Sequence, residues 1–263
     1  MITLLESRTL IQVTGKDAEN FLQSQFTNDI KSIQEKKIQI NAYCQHQGKI
    51  IVLIWVFKMY DNFYLSFPAD LKEIVIDKLN MFKMMSEVYI TDVSSEFYQY
   101  GLISENHRNG FYIKNNLSLL ITPEVLDTCS ERYWNHSCIE NFLPEIYHQT
   151  TEKFIPQALN LDIDEIGVSF NKGCYPGQEV VARMHYLGKP KRRLIQFSSN
   201  FEVFIGDTIN VKDSKSLKSS GVVLLTARTN EQYHSLAIFE MEYIDKEMVI
   251  NDNIEQKISI INE

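Results

Sequence analysis

The chain has 263 residues, 44% hydrophobic and 23% charged, which is ordinary globular usage and excludes wholesale disorder. Lys and Arg total 26 against 34 Asp and Glu, and the net charge of −8 argues against broad binding to nucleic acid or anionic membrane. The longest uncharged apolar run, residues 50–57, falls far short of the ~18 residues a membrane span needs. The N-terminal residues lack the layout of a signal peptide, and four cysteines (Cys44, Cys129, Cys138, Cys174) do not make a disulfide framework. A cytoplasmic protein with reduced thiols, making no membrane contact and no direct nucleic-acid contact, is the expectation.

Residues 10–13 are β-prone, and Thr14 followed by Asp17 is a helix-start signal. Phe21, Leu22, Gln25, Phe26 and Ile30 then recur at helical spacing. Residues 38–67 read as strands, with 50–57 a buried one, Gly48 in the turn before it and Asp61-Asn62 in the turn after it. Pro68 to Asp70 opens a helix with Leu71, Ile74, Val75, Leu79 and Phe82 on one face, and residues 88–93 return as a strand. Further strands are predicted over 97–120 with a break at 106–110, then a helix over 123–129. Residues 139–146 and 153–161 are poorly periodic and read as loop with short helical pieces. Beyond Pro190 the texture changes to short strand candidates at 194–197, 208–211, 221–227, 235–241 and 254–261, the spacing of an antiparallel barrel or sandwich. The sequence therefore divides into residues 1–189, an α+β region, and residues 190–263, an all-β domain.

The stretch 166–185 concentrates special residues. Pro176-Gly177 is a turn pair, Gly173 and Gly177 permit close backbone approach, and a helix follows from Gln178 with Glu179 in its first turn. Cys174 precedes that helix and stands two residues after Lys172, two features that favour thiolate, the form that acts as nucleophile, redox partner or metal ligand. The plainer reading is a small side chain in a tight turn.

The octapeptide Lys172-Gly173-Cys174-Tyr175-Pro176-Gly177-Gln178-Glu179 resembles the signature of the YgfZ proteins, folate-binding relatives of the aminomethyltransferase (T-protein) of the glycine cleavage system. The resemblance extends to Pro156-Gln157-Ala158-Leu159-Asn160-Leu161, to Val180-Val181-Ala182-Arg183 with Gly188, and to Gly15, Asp17, Ala18, Phe21-Leu22-Gln23 and Thr27-Asn28-Asp29. It covers most of residues 10–193. It implies an aminomethyltransferase-like α+β N-terminal region, including a ferredoxin-like part, followed by a C-terminal antiparallel β-barrel around a folate-binding channel. It implies as cofactor tetrahydrofolate, in some form polyglutamylated, and a role in assembly or repair of iron–sulfur proteins, with an indirect effect on tRNA modification. Iron–sulfur client or assembly proteins are then the implied partners. On this resemblance Cys174 is the reactive or ligand-donating thiol. Lys172 depresses its pKa or contacts an anion, Gly173 and Gly177 shape the turn, and Glu179 and Arg183 support the loop or touch ligand.

The enzyme alternative is a tetrahydrofolate-dependent one-carbon (aminomethyl or methyl) transferase. Aminomethyltransferases carry an Asp-Asp-Leu-Ile type of sequence after their glycine turn, whereas Gly48 here is followed by Lys49-Ile50-Ile51-Val52-Leu53-Ile54, without a carboxylate to position a reacting nitrogen. Whether the protein is an enzyme is left open by the sequence.

Asn28, Asp29, Gln157, Asn160 and Gln178 could pair with the donor and acceptor edge of a pterin. For Asn28-Asp29 the competing reading is termination of the first helix. Lys172, Arg183, His185, Lys189, Lys191, Arg192 and Arg193 form a basic cluster in an acidic chain, suited to the carboxylates of a glutamate tail or else to a solvated strand start. Tyr43, Tyr64, Tyr175, Phe154, Trp55 and Trp134 could stack on a flat heterocycle but are more simply core, Trp55 above all. Cys129 and Cys138 with His136 match no paired metal-ligand spacing, so no metal is expected. A third alternative is a module recognising a partner protein or tRNA, with Arg192 and Arg193 as contacts.

Overall fold

The computed structural model describes residues 1–84, 86–104, 107–212, 219–229 and 232–261. The first layer is an antiparallel sheet built from β2 (Arg8–Thr14), β3 (Gln39–Cys44), β4 (Ile50–Met59), β5 (Asn62–Pro68) and β6 (Tyr89–Asp92), in the order β3-β4-β5-β2-β6. β4 is buried on both faces from Ile50 to Phe57, so it reads as a continuous apolar run rather than an alternating one. Each such side chain contributes about 2 kcal/mol relative to exposure. The β4–β5 connection is a tight hairpin whose turn residues, Tyr60 and Asp61, both take positive φ, matching the twist of the strands. This turn lies one residue earlier than the predicted Asp61-Asn62.

Helix α1 (Ala18–Gln25) buries Ala18, Phe21, Leu22 and Gln25. Its predicted apolar stripe holds, but the helix stops at Phe26, which bridges to Tyr43 instead. Ile30 then sits in a separate 3-10 turn, Ile30–Ser32. Helix α2 (Lys72–Phe82) is entered through a 3-10 turn at Ala69–Leu71 and buries Val75 and Leu79.

A second antiparallel sheet runs β1-β7-β9-β8, from β1 (Ile2–Leu4), β7 (Tyr98–Ile103), β8 (Phe111–Lys114) and β9 (Leu117–Thr122). Of the predicted break at 106–110, Asn106 lies outside the described residues, and Gly110 N–H closes a turn onto the His107 carbonyl at 2.8 Å. The helix expected over 123–129 is not there. Leu126 N–H donates to the Tyr100 hydroxyl and Cys129 N–H to the Ile2 carbonyl, which tie this segment to β7 and β1. The helix forms one step later, as α3 (Glu131–Glu140), burying Trp134, Ser137, Cys138 and Ile139. Pro123 marked a turn, and the i, i+3, i+4 burial that makes a helix worthwhile begins only at Trp134.

From Arg192 onward the chain forms a closed barrel, β10-β13-β12-β11-β14-β15. Its strands are β10 (Arg192–Ser199), β11 (Thr208–Val211), β12 (Gly221–Arg228), β13 (Tyr233–Glu240), β14 (Met248–Ile250) and β15 (Asn253–Ile260), with β10 pairing to β15 at Phe197↔Ile260. β14 was not anticipated, being only three residues long. Strand alternation splits the barrel residues between two cores. Ile195, Phe197, Val223, Ala237 and Phe239 fill the inside. Leu194, Val222, Leu224, Leu236 and Ile238 face outward into the core shared with the N-terminal layers. A bulge between Val223 and Leu225 shifts the phase, so Leu225 joins Leu224 on that shared side. α3 packs on β12, and Gln196 Nε2 donates to the Ile139 carbonyl at 2.6 Å, fastening barrel to helix.

Candidate ligand site

The loop Thr27-Asn28-Asp29 leaves α1 and is wedged between β3 and the segment 166–171. Thr27 Oγ1 donates to the Gly167 carbonyl at 2.6 Å and accepts from Ala42 N–H at 2.8 Å. Ser169 N–H donates to the Thr27 carbonyl. The Asn28 amide is spent on the scaffold: Nδ2 donates to the carbonyls of Ile40 and Ile166, and Oδ1 accepts from Asp29 N–H. Asn28 therefore braces the wall rather than offering hydrogen bonds.

Asp29 differs. Its Oδ1 accepts from Gln23 Nε2 and Lys31 N–H, starting the 3-10 turn. Its Oδ2 takes no hydrogen bond from a described residue. Asp29 borders a cavity of about 650 Å³ that also holds Lys37, Gln39, Asp164, Ser169 and Asn171, with Ile38, Ile113 and Ile166 as apolar walls. Gln39 Nε2 donates to the Asp29 carbonyl at 2.8 Å, fixing this loop to β3. Lys37, Gln39 and the pair Asp164-Glu165 were not singled out from the sequence. Asp164 and Glu165 take φ of +52° and +51°, a fold-imposed geometry that no local signal announced. Ser169 and Asn171, in contrast, fall inside the marked stretch.

Lys172 is the post on which the signature loop hangs. Its Nζ donates to the carbonyls of Gln23, Phe26 and Asn28 at 2.6, 2.5 and 2.9 Å, around the end of α1. All three ammonium hydrogens are thus committed to backbone, so the expected contact with an anion is not formed from this lysine. Burial lowers Lys172 to about 8, with Asp29 opposing, so the charged form still predominates at neutral pH. Its Nζ also lies 5.3 Å from the centre of the Tyr175 ring.

Cys174 is exposed. Helix α4 (Gln178–Leu187) begins after Gly177, which holds φ +83°. A Cβ on Gly177 would lie 2.6 Å from both the Gln45 carbonyl oxygen and Gly48 Cα, so two glycine turns, one before β4 and one before α4, are pressed backbone to backbone. Cys44 and Tyr175 are both buried beside this contact, and burial pushes each well above its ordinary pKa. Of the residues on α4, Gln178 is half-buried, while Glu179 and Arg183 are exposed and pair with no described residue. None of these three borders the 650 Å³ cavity. The structure therefore brings together Asn28, Asp29 and Lys172, and leaves Cys174, Glu179 and Arg183 on the outer side of the same loop and helix.

Two other expected polar residues brace the frame. Buried Gln157 donates from Nε2 to the Val181 carbonyl at 2.7 Å, holding α4. Arg193 clamps Asp162 with two bonds of 2.6 and 3.1 Å and reaches the Gln157 carbonyl and Asn160 Oδ1. Arg192 binds Glu240 at 2.7 Å. Two of the seven residues in the apparent basic cluster, Arg192 and Arg193, are thus neutralised internally. Cys129 Sγ lies 3.2 Å from Thr3 Oγ1 and donates to the Ile2 carbonyl, while Cys138 is buried.

No protein-family model matches the chain. It does align with curated relatives along most of its length. An uncharacterised protein of Haemophilus influenzae is 32% identical over 227 aligned positions, which take in 81% of this chain and 80% of that protein. The tRNA-modifying protein YgfZ of Blochmanniella pennsylvanica is 30% identical over 267 positions, covering 84% of this chain and 80% of the relative. The chain belongs to the YgfZ family. The YgfZ of Buchnera aphidicola subsp. Schizaphis graminum is 29% identical across 85% of this chain and 82% of its own length. Among solved structures, the glycine cleavage system aminomethyltransferase T of Bartonella henselae superposes with a TM-score of 0.66, covering 99% of this chain and 84% of that one. At 12% identity that likeness establishes a shared fold, an aminomethyltransferase-like α+β region followed by a β-barrel.

Proposed function

We propose that this YgfZ-family chain is a tetrahydrofolate-binding accessory protein that acts in the assembly or repair of iron–sulfur proteins, affecting tRNA modification indirectly, with Cys174 as its working thiol. The observation that carries the folate part is the cavity beside Thr27-Asn28-Asp29, whose chemistry suits a pterin. Asp29 Oδ2 is an open acceptor for the amide-like donor edge, Ile38, Ile113 and Ile166 offer apolar walls for a flat ring, and Lys37 offers a cation for a tail carboxylate. A reduced folate, when bound, supplies a carrier for one-carbon units. The chain's own part is to hold that ring against β3 and to present Cys174, exposed, on the loop anchored by Lys172. Residues 1–189 would form the folate-binding region and 190–263 the barrel that closes it.

The one-carbon transferase reading is less well supported. The turn at Gly48 is packed against Gly177, and the strand beyond it is apolar and buried from Ile50 to Phe57, with no carboxylate to assist transfer. Cytoplasmic location remains part of the proposal. Among the described residues no helix is long and apolar enough to cross a membrane.

Calorimetric titration with tetrahydrofolate and its polyglutamates tests the reading. Saturable binding is expected for the wild type and for Cys174→Ala, and about tenfold weaker binding for Asp29→Asn, which weakens the acceptor. Absence of binding in the wild type would remove the folate assignment. Full rescue of a deletion strain by Cys174→Ala would remove the role given to the thiol.

A further inference from the structure

A second cavity, of about 400 Å³, lies on a different part of the surface, where the end of α4 meets the barrel. Its lining includes Phe154, Ile155, Ala158, Met184 and Pro190, a floor of apolar side chains. Three lysines, Lys153, Lys189 and Lys191, also line it and are exposed, beside Gly188 and the paired Arg192 and Glu240. None of the three pairs with any described residue. The charged neighbours behave otherwise: Arg192, also in the lining, is bound to Glu240 at 2.7 Å, and Arg193 is clamped by Asp162. In a chain of net charge −8, this leaves one apolar depression ringed by unneutralised positive charge. The apolar surface does not end at the cavity mouth. Leu187, three residues after the lining residue Met184 on α4 and next to the lining Gly188, is 84% exposed.

We infer that this cavity is a docking site for an acidic segment of a partner protein, one that inserts aliphatic or aromatic side chains flanked by carboxylates. The floor gives burial to the apolar anchor, and the lysines give steering and charge complementarity around it. The volume exceeds what a single side chain fills, and exposed Leu187 continues the apolar surface beside the hole, which fits a peptide better than a compact ligand. A nucleic acid fits less well, because its phosphates would meet only three lysines on an otherwise acidic molecule. This inference does not rest on the folate reading, since it uses a different cavity and different residues.

Fluorescence anisotropy with a labelled hexapeptide, a central leucine–phenylalanine pair flanked by two glutamates on each side, tests it on the full chain. Saturable binding that weakens with added salt is expected. The triple variant Lys153→Glu, Lys189→Glu, Lys191→Glu should bind at least about tenfold more weakly. All three positions are exposed, so its unfolding midpoint should match the wild type. Met184→Glu, which places a charge in the floor and spares the lysines, should lose binding to a similar degree. The proposal falls if the wild type does not bind saturably, if the triple variant binds as the wild type does, or if a lysine-flanked peptide binds equally well. It also falls if a single-stranded RNA or a folate polyglutamate displaces the peptide. Folate titration of the same triple variant separates the two readings: it should be unchanged, whatever the peptide does.

Discussion

At the scale of single residues, the most informative side chain is Lys172. A lysine beside a cysteine invites an electrostatic role toward that thiol, yet its ammonium is spent on three carbonyls at the end of α1. Its charge serves to neutralise the negative end of that short helix and to pin the signature loop to Thr27-Asn28-Asp29. Lys172→Met leaves three carbonyls without their charged donor. Urea unfolding should show a loss of about 3 kcal/mol, together with weaker folate binding, because the wall carrying Asp29 loses its brace. A midpoint unchanged from wild type would show that the loop is held by other means. Asn28 is the complementary case: as an amide on a loop it could pair with a ligand or with backbone, and only its contacts to Ile40 and Ile166 decide for backbone.

At the scale of elements, the junction of β2 with the segment after α3 holds a buried ion pair. Arg8 donates to Glu145 Oε1 at 2.5 Å, to the Ser66 hydroxyl and to the Ser66 carbonyl, with its guanidinium 3.6 Å above the Trp55 ring. Ser66 passes the network on to Gln99 of β7 at 2.6 Å, so this cluster joins the two sheets. Glu145→Ala abandons a buried cation and should cost about 3–5 kcal/mol by denaturant unfolding. Replacing both partners, Arg8→Met with Glu145→Leu, should recover most of that loss. If the double variant is as unstable as the single, the cluster acts through packing and not through its charges. Sequence alone located β2 and placed Trp55 in the core. It did not pair residues that lie 137 positions apart, because local periodicity carries no record of which distant side chain will face which.

At the scale of the whole molecule, the barrel is docked through α3. His136 on that helix meets His234 of β13 edge to face, 4.9 Å between ring centres, with Glu140 3.5 Å from His136. Burial, and then the neighbouring His136, lowers the pKa of His234, while Glu140 opposes. The unfolded chain therefore takes up this proton first as acid is added, near the ordinary histidine value of about 6.5. Stability is present above that pH and falls through the window below it, down to the depressed folded value. The thermal midpoint should thus drop from pH 7 to pH 5, and His234→Gln should flatten that part of the profile. Equal slopes for the two proteins would show that the interface does not sense this proton.

The amino-acid pattern by itself settled a good deal. Apolar runs and alternation gave β4 and most barrel strands, and the i, i+3, i+4 stripe gave α1 and α2. The matched elements around Thr27-Asn28-Asp29 and Lys172 to Glu179 pointed to the family. These are short-range properties, set by periodicity and turn chemistry over a few residues. Tertiary structure alone decided where α3 begins, since the segment after Pro123 is held by Tyr100 and Ile2 from other strands. It decided that Arg192 and Arg193 are locked into ion pairs while Lys153, Lys189 and Lys191 stay open. It also decided that Lys37, Gln39 and Asp164 share a cavity with Asp29. The physical reason is common to all three: a side chain's partners and exposure are fixed by groups far away in the chain, and those become neighbours only when the layers pack.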